Sequence, residues 1–323
     1  MPWISCAFAL LASWLVLANL NRVEAHSQPA PTAPVVLTGT IAYSRVVSAT
    51  PSYEVRYVNS DATNDHFITA GWRPRISPDG NWMLFQREGI YPSGTGDQVY
   101  MRDLTLLTNT HVVTNSDYIV GTAWMTDSQH FLVDAACSIY RVNRNGTGVT
   151  DLTHAHSCYD DSPSVNPING RIAFHNQFMG GLTANPDGSQ ITVISNTKAS
   201  DWWFSWSKDG QWLSFLRGAN YYKIHLDGSG LTQLTFESYP IKSSSDYGPQ
   251  VPHAPAIWSD DGQTLVAPGT RRGVQGIYVI AADGSGTTTL LLASPPGTWV
   301  DFVGSVNGNA TVQRVIYLPI LLR

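Results

Sequence analysis

The densest group of chemically versatile side chains is the segment THAHSCYDD, from Thr153 to Asp161. Imidazoles and carboxylates hold metals and polar ligands in many proteins. His154 and His156 form a His-x-His pair, but no third ligand follows at a fixed spacing, so the pattern does not predict a metal. We interpret the segment first as a solvated connector between strands. As a second interpretation, His154, His156, Tyr159 and Asp160 are candidate ligand-binding residues.

Aromatic side chains supply the other candidates. Trp202 and Trp203 are adjacent, and flat indole rings with a polar N–H edge suit exposed contacts with sugars or proteins. The longest stretch between repeated motifs, FESYPIKSSSDYGPQVPHAP, includes Tyr247 and His253. Because long loops on a rigid scaffold often carry function, we add Tyr247 and His253 as candidates. A merely tolerated surface insertion is the alternative for this stretch.

The elements that would position these residues form a repeat. Similar hairpins recur about every 40 to 50 residues, a period typical of propellers, as PRISPDGNWMLFQR, AWMTDSQHFLVDA, PSVNPINGRIAFHN, FSWSKDGQWLSFLR and AIWSDDGQTLVAP. Ser, Asp and Gly at their turns suit type I geometry and not a calcium site, for which one carboxylate supplies too few oxygens. Trp124, Trp206 and Trp258 occupy equivalent positions and are predicted to pack between repeats.

A second hairpin follows each first one, with Asp-Gly or Asn-Gly at the turn, as in YYKIHLDGSGLTQLT. Such dipeptides strongly favour hairpins. The unit is therefore a blade of four antiparallel strands, and the fold class is an all-β, six-bladed β-propeller. Five blades are complete, and the sixth is expected to join strands from the N-terminal part to an inner strand near Trp299 to Val303. A seventh blade that includes RVIYLPILLR is the alternative.

The SPDG-type turns, the IAF-like strands and the IYxV…DGSG…LT hairpins resemble the TolB-type propeller repeat, from about Thr40 to about Gly308. The resemblance implies a six-bladed propeller in an exported protein. It also implies a role in protein interaction or as the companion of a peptidase domain, but no reaction. A separate N-terminal α/β domain of the TolB kind is not recognisable in this chain.

The first residues favour export. Residues 1–25 are apolar from Trp3 to Leu20 and end at Val23-Glu24-Ala25, which is typical of a signal peptide; an uncleaved anchor is the alternative. Residues 26–37 are predicted as a Pro-rich linker, 38–309 as the propeller, and 310–323 as a C-terminal strand or tail. We expect a secreted, periplasmic or cell-surface protein.

Two cysteines remain after the first segment, Cys137 and Cys158. In the four-strand unit both fall in loops on the same face, and an oxidising compartment favours their pairing. We predict a disulfide across one blade. Two unpaired thiols are the alternative.

Several function classes are disfavoured by the sequence. Net charge is −5 and no basic cluster exceeds Arg271-Arg272, so nucleic acid is not expected as a partner. The G-x-S-x-G motif of serine hydrolases is absent from the sequence. We expect a monomeric, non-catalytic module that binds a protein or glycan at the cell envelope, without cofactor, metal or membrane span after cleavage.

One enzymatic alternative stays open. A carbohydrate-active enzyme, either a propeller-type polysaccharide lyase or a hydrolase, would place its site at the mouth of the channel. A lyase of this kind would need several histidines to converge on a metal near the channel, and His154, His156, His175 and His253 are the candidates.

Overall fold

The computed structural model describes residues 35–37, 39–47, 52–91, 94–114, 119–154, 160–237, 254–271, 273–296, 298–307 and 310–312. These residues form six four-stranded antiparallel sheets and one two-stranded sheet, with no helix among them. The predicted all-β, six-bladed propeller is confirmed, and the alternative of seven blades is not. The compact unit spans Val35–Gln313.

The strands follow one another in blade order. The chain begins with β1 (Val35–Leu37), followed by three strands of the closing blade, β2 (Thr40–Val47), β3 (Ser52–Asn59) and β4 (His66–Ala70). Blade I is β5 (Trp72–Ile76), β6 (Trp82–Tyr91), β7 (Gly94–Asp103) and β8 (Asn109–Thr114). Blade II is β9 (Thr122–Trp124), β10 (His130–Ala135), β11 (Ser138–Asn143) and β12 (Thr150–Asp151).

The remaining blades repeat this order. Blade III is β13 (Asp160–Val165), β14 (Ile172–Asn176), β15 (Gly180–Ala184) and β16 (Thr192–Val193). Blade IV is β17 (Asp201–Trp206), β18 (Trp212–Arg217), β19 (Asn220–His225) and β20 (Thr232–Gln233). Blade V is β21 (Ile257–Trp258), β22 (Thr264–Arg271), β23 (Val274–Ala281) and β24 (Thr288–Ala293), and two strands follow it, β25 (Thr298–Asn307) and β26 (Ala310–Val312).

The ring closes by pairing the two ends of the propeller. Strand β25 is the innermost strand of the closing blade and pairs with β2, with Thr40 opposite Asn307. Beyond the blade, β1 pairs with β26 in the same register, with Val35 opposite Val312. The composite sixth blade is therefore confirmed, and its inner strand includes the predicted residues around Trp299. Closure leaves no open edge at the start of the ring.

The turn between the first and second strands of a blade is fixed by a serine and an aspartate. Ser77 Oγ accepts a hydrogen bond from the Trp82 N–H at 3.0 Å and donates one to Asp79 Oδ1 at 2.5 Å. The same pair recurs in blades IV and V, as Ser207 with Asp209 and Ser259 with Asp261. These carboxylates shape turns, as the sequence predicts.

The turn between the third and fourth strands holds neighbouring blades together. Gly146 of blade II and Gly188 of blade III have φ values of 82° and 84°, which glycine adopts without steric cost. A Cβ on Gly188 would lie 2.3 Å from the Leu152 carbonyl oxygen, and one on Gly146 would lie 2.4 Å from that of Val112. Glycine is therefore needed at these positions for two reasons: it adopts the positive φ of the hairpin turn, and it lets the turn approach the preceding blade closely.

Large side chains fill the space between blades. Trp258 is 1 % exposed, and its indole N–H donates to the Ser205 carbonyl of blade IV at 3.1 Å. Trp124 donates in the same way to the Arg75 carbonyl of blade I at 2.9 Å. Full burial of a large apolar side chain contributes about 1.5 to 3 kcal/mol, so these rings strengthen the contact between blades. The predicted packing of the repeated tryptophans between blades is confirmed.

Candidate functional site

Two sets of loops lie at one end of the blades: the turns between second and third strands, and the connections from one blade to the next. We call this end the connector face. Each inner strand starts here, at the rim of the central channel. The side chains at these strand starts are the ones that a ligand at the channel mouth would meet first.

Three inner strands start with a bulge. The register shifts in β5, β13 and β17, and the residues Arg73, Ser162 and Trp203 at these bulges have φ values of 53°, 55° and 62°. A left-handed backbone is uncommon for residues other than glycine and stores strain, which is frequent at functional positions. A bulge changes the direction of the side chains on its strand, here at the start of each of these inner strands.

Arg73 reaches across the mouth. Its guanidinium donates to the Ile119 carbonyl at 2.8 Å and lies 5.6 Å from the centre of the Trp203 ring, a cation–π contact. Arg73 belongs to blade I and Trp203 to blade IV, which are opposite blades in a ring of six. Among the described residues, no carboxylate lies within ion-pair distance of Arg73.

A second group lies where blades III and IV meet. His175 Nδ1 is 3.3 Å from the Asp161 carboxylate, and Nε2 is 3.1 Å from the Ala199 carbonyl. Each ring nitrogen therefore lies within hydrogen-bond distance of an acceptor oxygen. The ring stacks on Trp202 with 3.7 Å between centroids. The side chain of His175 is fully buried, whereas that of Asp161 is 14 % exposed.

Asp134 joins blades II and III beneath the mouth. Its carboxylate accepts hydrogen bonds from the N–H groups of Val120 at 2.7 Å and Ser162 at 2.8 Å. Burial, and then the nearby charge of Asp161, raise the pKa of Asp134 to about 7. The carboxyl therefore changes protonation near neutral pH while it connects two blades.

Comparison with solved structures gives the fold. TolB from Acinetobacter baumannii matches with a TM-score of 0.63 and 15 % identity, over 84 % of this chain and 68 % of that chain. A chain of a nidogen/laminin complex matches at 0.61 and 9 % identity, over 82 % and 97 %. An oligogalacturonate lyase from Vibrio parahaemolyticus matches at 0.50 and 11 % identity, over 75 % and 78 %.

The chain has the TolB-type propeller fold. No family model matches the sequence, and no curated protein is similar to it in sequence. Likeness at these identities establishes a shared fold and not a shared activity.

The predicted aromatic pair lies at the mouth but is less exposed than expected. Trp202 is half-buried under His175, and Trp203 is only 8 % exposed. The expectation of an exposed contact is therefore wrong for Trp203, because the bulge turns its ring into the core between blades IV and V. Contact with a ligand at either ring stays a prediction.

The other predicted residues are dispersed. Asp160 is 2 % exposed and accepts a hydrogen bond from Asn176 Nδ2 at 2.6 Å, so it braces blade III. His154 is exposed, and its backbone N–H donates to Asp151 Oδ1. The ligand-binding role of Asp160 and His154 stays a prediction. The remaining candidates lie outside the described residues: His156, Tyr159, Tyr247 and His253.

Only one of the two cysteines in the predicted disulfide lies among the described residues. Cys137 is half-buried in the turn between β10 and β11, on the connector face, with φ at 74°. Cys158 lies outside the described residues, so the pairing stays a prediction.

Sequence reasoning missed Arg73 and Asp134. A signal for Arg73 existed, because it stands at the same distance before its turn as Trp203 does before the turn of blade IV. Across the described ranges, no three His, Cys, Asp or Glu side chains come together to hold a metal ion, and no helix is long and apolar enough to cross a membrane.

Proposed function

We propose that this chain is an exported, non-catalytic propeller that binds a protein partner through its connector face. The observation that carries the proposal is a set of exposed apolar side chains at that face. Phe178 is 65 % exposed, Phe236 60 % and Val274 41 %. They come from the turn of blade III, the connection that leaves blade IV, and the turn of blade V.

Exposed apolar side chains on rigid turns are typical of protein interfaces, where a few aromatic anchors supply most of the binding energy. Met179, beside Phe178, is also exposed at 36 %. Blades III to V thus offer anchors along one side of the channel mouth. Phe236 and Val274 line one pocket, whereas Phe178 and Met179 lie on blade III, and a protein partner is large enough to contact both places at once.

The titratable groups at the mouth favour a scaffold over catalysis. His175 is fully buried with both ring nitrogens engaged, and the Asp134 carboxylate is held by backbone N–H groups. A general acid or base must reach its substrate within hydrogen-bond distance. These two groups hold blades together instead.

The known neighbours support the proposal by analogy. TolB-type propellers are used in protein interaction, and one matching chain comes from a complex of nidogen with laminin. The apolar segment 1–25 supports export.

The test is a pull-down with the purified mature chain from envelope extract, followed by binding measurements with the captured protein. The double variant Phe178→Asp and Val274→Asp should lose the partner, because charged side chains cannot enter an apolar interface. Leu106→Asp is the matched control, since Leu106 is 71 % exposed at the opposite face. Equal capture by wild type and double variant, or capture of glycan alone, would refute the proposal.

A second function rests on the cluster of His175, Asp161 and Asp134 beside Trp202. Of these three, Asp161 is 14 % exposed and can reach a ligand, while buried His175 and Asp134 would position it, which also suits a carbohydrate-active enzyme. The fold shared with an oligogalacturonate lyase is compatible with it. Assays on pectin and other glycans, with and without chelator, test this function; product formation that Asp161→Asn abolishes would establish it over the first.

A further inference from the structure

A cavity of about 370 Å³ lies in the central channel, near the turns between first and second strands. Each blade contributes one lining residue at the same register position of its inner strand, directly before the position of Trp124, Trp206 and Trp258. We call these six residues the channel ring: Arg75, Ala123, Ser164, Ser205, Ile257 and Ser305. The volume falls within the range of small-molecule sites.

The channel ring carries one charge. The Arg75 guanidinium donates from Nε to the Thr122 carbonyl at 3.2 Å and from Nη1 to the Gly304 carbonyl at 3.0 Å, so blades II and VI hold it in place. Burial, and then the charge of Arg73, lower the pKa of Arg75 to about 9. Among the described residues that line the cavity, the only other charged side chain is Lys208, and none is acidic.

Three serines give the ring its hydroxyl groups. Ser305 Oγ accepts a hydrogen bond from the Ile76 N–H at 2.9 Å and donates one to the Gly304 carbonyl at 2.7 Å, and Ser164 Oγ accepts one from the Trp206 backbone N–H at 3.3 Å. Ser205 Oγ has no hydrogen-bond partner among the described residues. A hydroxyl has one donor and two acceptor positions, so Ser164 and Ser205 can donate to a ligand hydroxyl and all three serines can accept from one.

We propose that the channel ring binds a small hydroxylated carboxylate, with the carboxylate at Arg75 and its hydroxyl groups at the serines. Guanidinium is the preferred protein partner of a carboxylate. The cavity is reached past Pro78, Pro167 and Lys208, at the face opposite the connector face. The site is therefore separate from the protein-binding surface and does not depend on it.

Isothermal titration of the full mature chain with gluconate, citrate and inorganic phosphate tests the proposal. We expect saturable binding of gluconate or citrate and weaker binding of phosphate, which lacks the hydroxylated carbon chain. Arg75→Gln should weaken binding by about 10- to 100-fold, because it removes a charge-assisted hydrogen bond. Arg141→Gln, on β11 away from the cavity, is the matched control and should bind as wild type does.

A second variant covers the case in which Arg75→Gln does not fold. Ser205→Asp places a carboxylate in the ring that competes with the ligand, so binding should be lost while the thermal unfolding midpoint is retained. No saturable binding of either carboxylate, unchanged binding by folded Arg75→Gln or Ser205→Asp, or phosphate binding as tight as gluconate and citrate would each overturn the proposal. Loss of a protein partner at the connector face would leave these titrations unchanged.

Discussion

The guanidinium of Arg73 lies 5.6 Å from the centre of the Trp203 ring, although the two residues belong to opposite blades. Both stand at a bulge with a left-handed backbone, at φ 53° and 62°. This contact spans the channel mouth and links halves of the ring that share no strand pairing. Opposite blades are thus coupled directly, in addition to the contacts between neighbours.

Replacing Arg73 should weaken that coupling. Arg73→Met removes the cation–π contact and leaves the Ile119 carbonyl without its donor, so we expect the free energy of unfolding to fall by about 1 to 3 kcal/mol. Urea unfolding followed by circular dichroism measures the change. Arg141→Met serves as control. A decrease no larger than that of the control would contradict the role of Arg73.

The glycines of the outer turns should not tolerate a methyl group. In Gly188→Ala the new Cβ would meet the Leu152 carbonyl oxygen at 2.3 Å, in addition to the strain of a positive φ. Gly80→Ala is a matched control, since Gly80 has φ 75° and nothing within 4 Å of the added carbon. We expect Gly188→Ala to lower unfolding stability by about 1 to 3 kcal/mol more than Gly80→Ala. Similar losses in both would show that the two blades separate at little cost.

The repeat made the fold predictable, because the turn residues carry their own geometry. Ser77 and Asp79 form a hydrogen bond within one turn, so a short stretch of sequence suffices to predict that hairpin. The composite blade followed from counting strands. The close contact at Gly188 did not, since it depends on the preceding blade and not on neighbours in sequence.

The channel mouth was harder to predict for the same reason. The sequence alone suggests that Trp203 is exposed. In the structure, the bulge in β17 turns its ring inward. In the sequence, Asp134 is indistinguishable from other polar strand residues. Its role in joining two blades depends on its hydrogen bonds to the N–H groups of Val120 and Ser162. Long-range packing decides both, and a single sequence does not reveal it.

The predicted disulfide should be detectable by mass. Alkylation of the unfolded, unreduced mature chain should leave Cys137 and Cys158 unmodified, and alkylation after reduction should modify both. Because the bond would close a loop of about 20 residues, Cys137→Ser should lower stability by about 3 kcal/mol under oxidising conditions. Under reducing conditions, Cys137→Ser and the wild type should have the same free energy of unfolding. Alkylation without prior reduction would disprove the pairing.

The predicted signal peptide gives a direct test of export. The mature protein should begin at His26, after Val23-Glu24-Ala25, and N-terminal sequencing of the exported fraction measures this. Ala25→Arg should block cleavage, because the site requires a small residue. A protein that retains residues 1–25 in the wild type would instead support an uncleaved anchor.

Titration of Asp134 should make the free energy of unfolding fall as pH rises from about 4 to about 7. Its pKa is raised from 3.8 to about 7 in the folded state, so in this window the folded protein binds a proton that the unfolded chain has lost. The free energy of unfolding therefore decreases with pH here, and it is unaffected by this group below pH 3.8, where both states are protonated.

Asp134→Asn removes the titration and should flatten this slope in urea unfolding measured across the window. Its absolute stability should also drop at acid pH, because an amide oxygen replaces only one of the two acceptors that hold Val120 and Ser162. Asp187→Asn is the control: the pKa of exposed Asp187 is lowered by the Ser189 hydroxyl and N–H, so it titrates below the window and should leave the slope unchanged. An equal slope in wild type and Asp134→Asn would mean that Asp134 is ionised throughout, with its backbone hydrogen bonds outweighing its burial.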